Sequence, residues 1–224
     1  MAWLSESCAK LFAQEMGRVA LNRFENWFCA SSLWRAMTRK RVLPWLLSGT
    51  ELGEHVLEIG AGAGAATEEL RKRAGRVTSL EYSHELAVKL ARRNFRGPGN
   101  AFTNGDVLRG DASALPFSEK TFSALTAVLM LHHLKSREAQ EAAFAEAFRV
   151  LRPGGVFIAI DIPDGWLHRV AHIRSTFVPI APSTAPARLA AAGFSDVSME
   201  FRGGAFRLRA LRPRDADKSQ TKAR

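Results

Sequence analysis

The sequence of 224 residues predicts an α/β domain in which helices cover both faces of a mostly parallel sheet. Two observations lead to this prediction. From about residue 55 onward, short apolar runs alternate with segments of helical periodicity, as strand–helix–strand units do. Near the end of the chain, two strand-like runs flank Arg202–Gly204, which predicts an antiparallel hairpin at the edge of the sheet.

The expected elements follow from the apolar spacing in chain order. From about Trp3 to Leu47 the apolar side chains recur at helical spacing, which predicts a helical extension over residues 1–50. The predicted elements beyond it are a strand His55–Ile59, a loop Gly60–Gly64, a helix Ala65–Ala74, a strand Arg76–Glu81, a helix His84–Phe95, strands Val107–Asp111 and Phe122–Met130, a helix Glu138–Leu151, a strand Val156–Ile160, a helix Ala185–Ala192, and hairpin strands Val197–Phe201 and Ala205–Leu211. Residues 51–213 are thus expected to form the domain, and residues 214–224 a disordered basic tail.

The formal net charge of +10 admits two interpretations. An acidic partner, such as nucleic acid or an anionic membrane surface, would explain it. A simpler explanation is a set of basic helix faces with a basic tail. The second is favoured because the charge is spread along the chain and no basic run is interleaved with aromatic residues. Nucleic acid is therefore not an expected partner.

Cysteine content and hydropathy suggest a cytoplasmic protein. Cys8 and Cys29 are the two cysteines, too few for a disulfide framework, and they are expected to be free thiols in a reducing compartment. No run of about 18 apolar residues predicts a membrane span. The first residues do not have the pattern of a signal peptide.

The strongest functional motif is a glycine-rich loop between a strand and a helix. Val56–Ile59 leads into Gly60, Gly62 and Gly64. Glycines at these positions let a ligand approach the backbone, and the following helix would offer unpaired amides. A tight turn without a ligand is the alternative. The loop also satisfies the dinucleotide fingerprint, so the motif alone does not identify the ligand.

Three carboxylates narrow the choice of ligand. Glu81 ends the second predicted strand about twenty residues after the loop, where a ribose-binding acid is expected. Glu58 lies inside an apolar strand, and it favours a cationic ligand because it would repel a pyrophosphate. Asp111, within Gly110–Phe117, could accept a hydrogen bond from an adenine amino group, although a turn cap is its usual role.

These motifs, with Val128–Leu134 and Arg149–Gly155, resemble the class I S-adenosylmethionine-dependent methyltransferases, in particular the type 11 group that includes ubiquinone and menaquinone biosynthesis enzymes. The resemblance covers roughly residues 53–161. It implies a Rossmann-like fold with a seven-stranded sheet and S-adenosylmethionine as methyl donor. By the resemblance, the cofactor-binding residues are Glu58, Gly60, Ala61, Gly62 and Gly64 around the methionine part, Glu81 with Tyr82 at the ribose, Asp111 with Ala112 at the adenine, and Leu129 beneath the cofactor.

Catalytic and acceptor residues are less well defined by the sequence. His132 and His133 follow the fourth strand and are the candidate bases, with Asp161 a weaker candidate. A metal site built from these histidines with His168 and His172 is considered but not expected, because the pairs lie on separate segments and methyl transfer needs no metal.

The acceptor is expected to be a small apolar or aromatic molecule, with a lipid or quinone included, bound by the N-terminal extension and residues 162–186. Contact with a membrane surface is a further possibility, because a basic cluster lies beside Trp34: Arg35, Arg39, Lys40 and Arg41. A monomer or a homodimer is expected. The alternatives are an RNA- or protein-directed methyltransferase, a non-catalytic S-adenosylmethionine-binding protein and a nicotinamide oxidoreductase.

Overall fold

The computed structural model describes residues 31–94 and 105–215 of the chain. A seven-stranded sheet forms its centre, with the strand order β3-β2-β1-β4-β5-β7-β6. The strands are β1 (His55–Ile59), β2 (Arg76–Glu81), β3 (Val107–Arg109), β4 (Phe122–Val128), β5 (Leu151–Asp161), β6 (Ser195–Arg202) and β7 (Ala205–Leu211). The helices are α1 (Ser32–Met37), a π-helical turn (Thr38–Val42), α2 (Leu43–Leu46), α3 (Thr67–Arg71), α4 (His84–Asn94), a 3-10 turn (Leu131–His133), α5 (Arg137–Val150), α6 (Trp166–Ala171) and α7 (Ala185–Ala191).

The pairing of the strands confirms the predicted fold. β1, β2, β3, β4 and β5 run parallel, whereas β7 is antiparallel to both β5 and β6. The strand order reverses at β1, since the chain moves outward to β2 and β3 and then returns to β4 on the other side. Ligands bind at such a switch point, beside the carboxyl ends of the central strands. The fold thus locates a crevice beside Gly60 and Leu129, which follow β1 and β4.

Two apolar layers enclose the sheet, as expected for strands that are buried on both faces. One layer includes Leu125, Phe144, Phe157 and Phe206, with the helices α5 and α7 packed against it. The other includes Leu46, Leu70 and Ile158 with α2 and α3. The alternation of side chains along each strand supplies both layers from the same segments.

The bounds of several elements differ from the predicted ones. β5 begins at Leu151 rather than at Val156, because Arg152–Gly155 extends the ladder: Gly154 N donates to Arg212 O at 2.8 Å and Arg212 N to Gly155 O at 2.8 Å. The residues between the predicted helix and the predicted strand are therefore part of the strand. The helix after the glycine loop is shorter than predicted, Thr67–Arg71 instead of Ala65–Ala74. The helix Trp166–Ala171 was not predicted from the sequence.

Part of the predicted N-terminal extension lies in the described range. Ser31 caps α1 by accepting a hydrogen bond from Trp34 N at 3.0 Å, and Pro44 occupies the first turn of α2, where its missing N–H is tolerated. The rest of the extension, with Cys8 and Cys29, lies outside the described residues, as does the predicted tail from residue 216. None of the helices in the two described stretches combines the length and apolar character required to cross a bilayer.

Candidate functional site

A cavity of about 420 Å³ lies at the carboxyl ends of the central strands. Its size falls within the range of small-molecule sites, about 300–1,000 Å³. Residues from the loops after β1, β2, β3 and β4 line it, and Trp34 and His172 close it from outside the sheet. Of the predicted cofactor-binding residues and the two predicted histidine bases, all except Gly64 belong to its wall: Glu58, Gly60, Ala61, Gly62, Glu81, Tyr82, Asp111, Ala112, Leu129, His132 and His133.

The three glycines of the loop have different structural roles, although all have positive φ angles of 56–84°. A Cβ at Gly60 would lie 2.5 Å from the Cβ of Met130, so the missing side chain lets the loop after β4 pack closely against Gly60. A Cβ at Gly62 would meet nothing within 4 Å and would project into open space. At Gly64 a Cβ would lie 2.5 Å from Leu90 Cδ1. Gly64 packs the loop against α4 and is not part of the cavity wall, contrary to the expectation that it contacts the ligand.

Glu58 is a buried acid at the floor of the cavity, with 2% of its surface exposed. Its Oε2 accepts hydrogen bonds from Thr67 Oγ1 at 2.6 Å and Ser79 Oγ at 2.9 Å. Burial raises the pKa of Glu58 to about 7, and the two hydroxyls only partly offset this effect. The site therefore holds an acid that would ionise more readily beside a cation.

Glu81 lies at the end of β2 and fixes the glycine loop. Gly62 N donates to its Oε2 at 2.7 Å and Ser83 N to its Oε1 at 2.8 Å. Burial raises the pKa of Glu81, while these backbone donors lower it. A carboxylate has about four lone-pair sites, so Glu81 can still accept a hydrogen bond from a hydroxyl group of a ligand.

Tyr82 contributes a polar atom that needs a partner. Its hydroxyl is buried and has no hydrogen bond among the described residues. Buried polar groups without partners are rare in native proteins and often mark a position that a ligand or water occupies. The amine of Lys135 lies 5.5 Å from the centroid of the Tyr82 ring and also lines the cavity. The sequence did not single out Lys135, which follows the histidine pair by two residues without belonging to a recognisable motif.

Asp111 forms the turn that the sequence analysis gave as the alternative to a ligand role. Ser113 N and Ser113 Oγ donate to its Oδ1 at 2.8 and 2.7 Å, which is an Asx turn. In the described part of the chain, all hydrogen bonds to this carboxylate end on Oδ1. Asp111 and Ala112 both line the cavity, and Oδ2 takes part in neither of these two hydrogen bonds.

The loop after β4 forms the opposite wall. Leu129 has a φ angle of 51°, in the left-handed region that costs a branched residue about 1–3 kcal/mol, and its N–H donates to Ile160 O at 2.9 Å. This conformation turns the chain sharply, so that Met130 reaches Gly60 and the 3-10 turn places His132 and His133 at the cavity. The segment that was predicted to lie beneath the ligand is thus a strained turn. The sequence pattern does not reveal this strain.

His132 is oriented by a buried carboxylate. Its Nδ1 is hydrogen-bonded to Asp161 Oδ1, and its backbone N donates to Asp161 Oδ2 at 3.2 Å. Asp161 is fully buried at the end of β5 and does not line the cavity. The sequence analysis considered Asp161 as a base or as a group that orients an acceptor. The structure corrects this expectation, because the carboxylate is directed to His132.

His133 and His172 complete a cluster with His132. The ring centroids are separated by 4.1 Å for His132–His133, 5.1 Å for His132–His172 and 5.3 Å for His133–His172. Burial and the adjacent His132 lower the pKa of His133 to about 3, so this ring is a weak base. The structure brings three of the four histidines considered for a metal site together. His168 is the exception, since its Nδ1 donates to Pro163 O at 2.9 Å.

Comparison with known families agrees with this geometry. Residues 57–159 match a family model described as "Methyltransferase domain". Over 137 residues the chain is 30% identical to the demethylmenaquinone methyltransferase of Tropheryma whipplei (strain Twist), a match that covers 60% of this chain and 50% of the relative. The chain thus spans about half the length of the curated relatives that it matches.

Comparison with solved structures gives the same fold. The protein PH0226 of Pyrococcus horikoshii OT3 superposes with a TM-score of 0.71 at 16% identity, over 87% of this chain and all (100%) of that one. A SAM-dependent methyltransferase of Aquifex aeolicus superposes with a TM-score of 0.65 at 17% identity, over 86% of this chain and 100% of that one. At such identities the similarity establishes the fold alone.

Proposed function

Because residues 57–159 belong to the type 11 group of class I S-adenosylmethionine-dependent methyltransferases, we propose that the chain transfers a methyl group to a small apolar or aromatic acceptor. One observation supports this proposal above all others. A single cavity joins three carboxylates at the ends of β1, β2 and the loop after β3 to a histidine cluster beyond β4 and β5. The donor and the acceptor would thus meet at the switch point of the sheet.

The carboxylate side of the cavity fits S-adenosylmethionine. The open space at Gly62 permits close approach of a ligand, the buried Tyr82 hydroxyl needs a partner, and the Glu81 carboxylate can still accept a hydrogen bond from a ribose hydroxyl. Asp111, which lines the same cavity, would accept a hydrogen bond from the exocyclic amino group of the adenine. Glu58 would supply negative charge near the methionine part, where a cationic ligand favours the ionised acid.

When bound, S-adenosylmethionine supplies a methyl group already activated by a positively charged sulfur. The protein therefore has to align the acceptor and exclude water. Apolar side chains perform these tasks on the histidine side, where Met130, Leu134, Ile162 and Ala171 line the cavity. This wall favours a small acceptor with apolar or aromatic surface, and a quinone-type ring of the kind named for the curated relatives is one such molecule.

Proton removal, where the acceptor requires it, is assigned to the histidine cluster. His132 is the better placed of the two predicted bases because Asp161 fixes its tautomer with the lone pair on Nε2. His133 accepts a proton poorly at neutral pH, since its pKa is lowered to about 3.

Calorimetric titration with S-adenosylhomocysteine tests the donor side. Glu81→Ala and Asp111→Ala should each weaken binding by about 10- to 100-fold, since each removes hydrogen bonds to a charged group worth about 1.5–3 kcal/mol. Glu85→Ala is the matched control, because this carboxylate is exposed on α4 outside the cavity. Equal affinity of the wild type and both site variants, with all proteins folded, would contradict the assignment.

Transfer of labelled methyl groups tests the acceptor side. Reduced naphthoquinones and simple phenols are offered in parallel with bulk RNA, which the net charge of +10 keeps in consideration. Methylation of the small aromatic set and not of RNA is the expected result. Labelling of RNA alone would replace the small-molecule acceptor with a nucleic acid.

A further inference from the structure

The large apolar side chains that are exposed to solvent are not scattered over the described residues. They are confined to α1, to α6 with the turn that follows it, and to the end of β6. Single exposed apolar residues are common on proteins, whereas their concentration in one region marks an interaction surface. We term the following exposed side chains the apolar rim: Leu33 and Met37 on α1, Trp166, Leu167 and Val170 on α6, and Phe201 on β6.

The three segments of the apolar rim lie at the carboxyl end of the parallel strands, as the cavity does. Trp34 of α1 and Ala171 of α6 both line the cavity. Phe201 pairs with Phe206 of β7, which in turn pairs with Asp161, the last residue of β5. At the opposite end of the sheet, the described residues expose no large apolar side chain. The apolar rim and the cavity are therefore on the same side of the molecule.

The helix α6 is amphipathic in the reverse sense of a helix that packs on a protein core. Trp166, Leu167 and Val170 share one face, by their spacing of one and four residues, and are 77%, 61% and 54% exposed. The opposite face carries His168, whose Nδ1 donates to Pro163 O at 2.9 Å, and leads to His172 in the cavity wall. A surface helix of a globular protein normally turns its apolar face inward. The outward apolar face of α6 therefore requires an apolar environment outside the protein.

Positive charge accompanies the apolar rim. In the segments 31–42, 162–174 and 200–205, the two acids are Asp164 and Glu200, and each is paired with an arginine: Asp164 with Arg169 at 2.6 Å and Glu200 with Arg207 at 3.3 Å. The positive charge that remains complements an anionic surface. Four exposed cations of these segments form no ion pair with another described residue: Lys40, Arg41, Arg174 and Arg202.

We propose that the apolar rim docks the protein on an anionic lipid bilayer, with the apolar face of α6 at the level of the headgroups and the cavity facing the membrane. A lipid surface is the partner that joins apolar and anionic character, and tryptophan is well suited to its interface. With six residues, α6 inserts side chains and does not cross the bilayer. Docking is independent of the proposed function, whereas delivery of a lipid-soluble acceptor to the cavity rests on it.

Sedimentation of the full chain with phosphatidylcholine vesicles, with and without phosphatidylglycerol, tests the docking surface. We expect binding to the anionic vesicles, weaker binding to phosphatidylcholine alone, and a loss of binding as salt screens the exposed charges. The double variant Trp166→Ser/Leu167→Ser should bind anionic vesicles at least about 10-fold more weakly, because it removes the apolar face of α6.

Lys40→Gln/Arg41→Gln tests the contribution of charge. It should also weaken binding at least about 10-fold, since each cation beside an anionic surface contributes about fivefold. All four substituted residues are exposed and lie outside the cavity wall, so both double variants should fold and retain the affinity for S-adenosylhomocysteine. Circular dichroism and calorimetry verify this.

Lys120→Gln/Arg152→Gln is the matched control. It removes the same two charges from exposed positions at the amino end of the sheet, just before β4 and at the start of β5. Its binding to vesicles should be unchanged. No sedimentation of the wild type with anionic vesicles, or equal losses in the control and in Lys40→Gln/Arg41→Gln, would overturn the proposal.

Analytical ultracentrifugation identifies another occupant of the apolar rim. A dimer that Trp166→Ser/Leu167→Ser dissociates, in a protein that does not bind vesicles, would assign the apolar rim to a second copy of the chain and refute docking on lipid. Vesicle binding as expected, with no methyl transfer to any acceptor, would refute the proposed function and leave the docking surface intact.

Discussion

Glu58 shows how burial changes the chemistry of a single residue. In solution its pKa would lie near 4.5, and in the folded protein it is raised to about 7 because the carboxylate is removed from water. The folded state therefore prefers the protonated acid. Stability from this preference is present below pH 4.5 and is lost as pH rises through 7, an effect of roughly 3 kcal/mol for a shift of this size.

Replacement of Glu58 by Gln should remove this dependence. The amide oxygen can still accept from Thr67 and Ser79, so the packing is retained. Between pH 5 and 8 the free energy of unfolding of Glu58→Gln should fall less than that of the wild type, and at pH 8 the variant should be the more stable of the two.

Urea denaturation across this pH range, without ligand, measures the difference. Glu85→Gln is the control: this exposed carboxylate pairs with Lys89 at 2.7 Å, which lowers its pKa, so its removal should not flatten the slope. A Glu58→Gln variant that follows the wild-type curve in parallel would show that Glu58 ionises in the folded protein as it does in water.

Arg212 links three elements at the amino end of the sheet. Its Nη1 donates to Phe148 O at 2.6 Å, Arg149 O at 3.0 Å and Leu151 O at 2.6 Å, and its guanidinium lies 4.6 Å from the centroid of the Phe148 ring. The first two carbonyls belong to the last turn of α5, where a cation also favours the helix dipole. Arg212, the first residue after β7, thus caps α5 and fixes the start of β5.

Arg212→Ala should destabilise the domain by about 2–4 kcal/mol, because it leaves buried carbonyls without a donor and removes packing from Phe148. Thermal and urea unfolding measure the change. Arg202→Ala, on the exposed side of the hairpin, should change stability by no more than about 0.5 kcal/mol. Similar losses in both variants would mean that Arg212 contributes only as a surface charge.

For the whole molecule, ligand binding and folding are coupled. A ligand present at about 100 times its dissociation constant stabilises the folded state by about 2.7 kcal/mol, which raises the Tm of a domain of this size by about 5–10 °C. S-adenosylhomocysteine should produce this increase and NAD should not, since the ionised form of Glu58 would repel a pyrophosphate. Differential scanning fluorimetry distinguishes the two, and an increase with NAD alone would favour the nicotinamide alternative.

The sequence by itself determined the layered architecture and half of the site. Strand and helix periodicities, the hairpin at Arg202–Gly204 and the glycine loop are local patterns, and β1, β2 and β7 have the predicted bounds. The shared location of Glu58, Glu81 and Asp111 was also predictable from the sequence, because the carboxyl ends of parallel strands meet at one edge of the sheet.

Only the tertiary structure decided the other half. The strained turn at Leu129, the approach of Met130 to Gly60 and the pairing of Asp161 with His132 depend on contacts between segments far apart in the chain. So does the position of His172 beside the histidine pair, about forty residues away in sequence. The physical reason is that periodicity reports which face of an element is buried, whereas long-range packing sets which side chains of different elements meet.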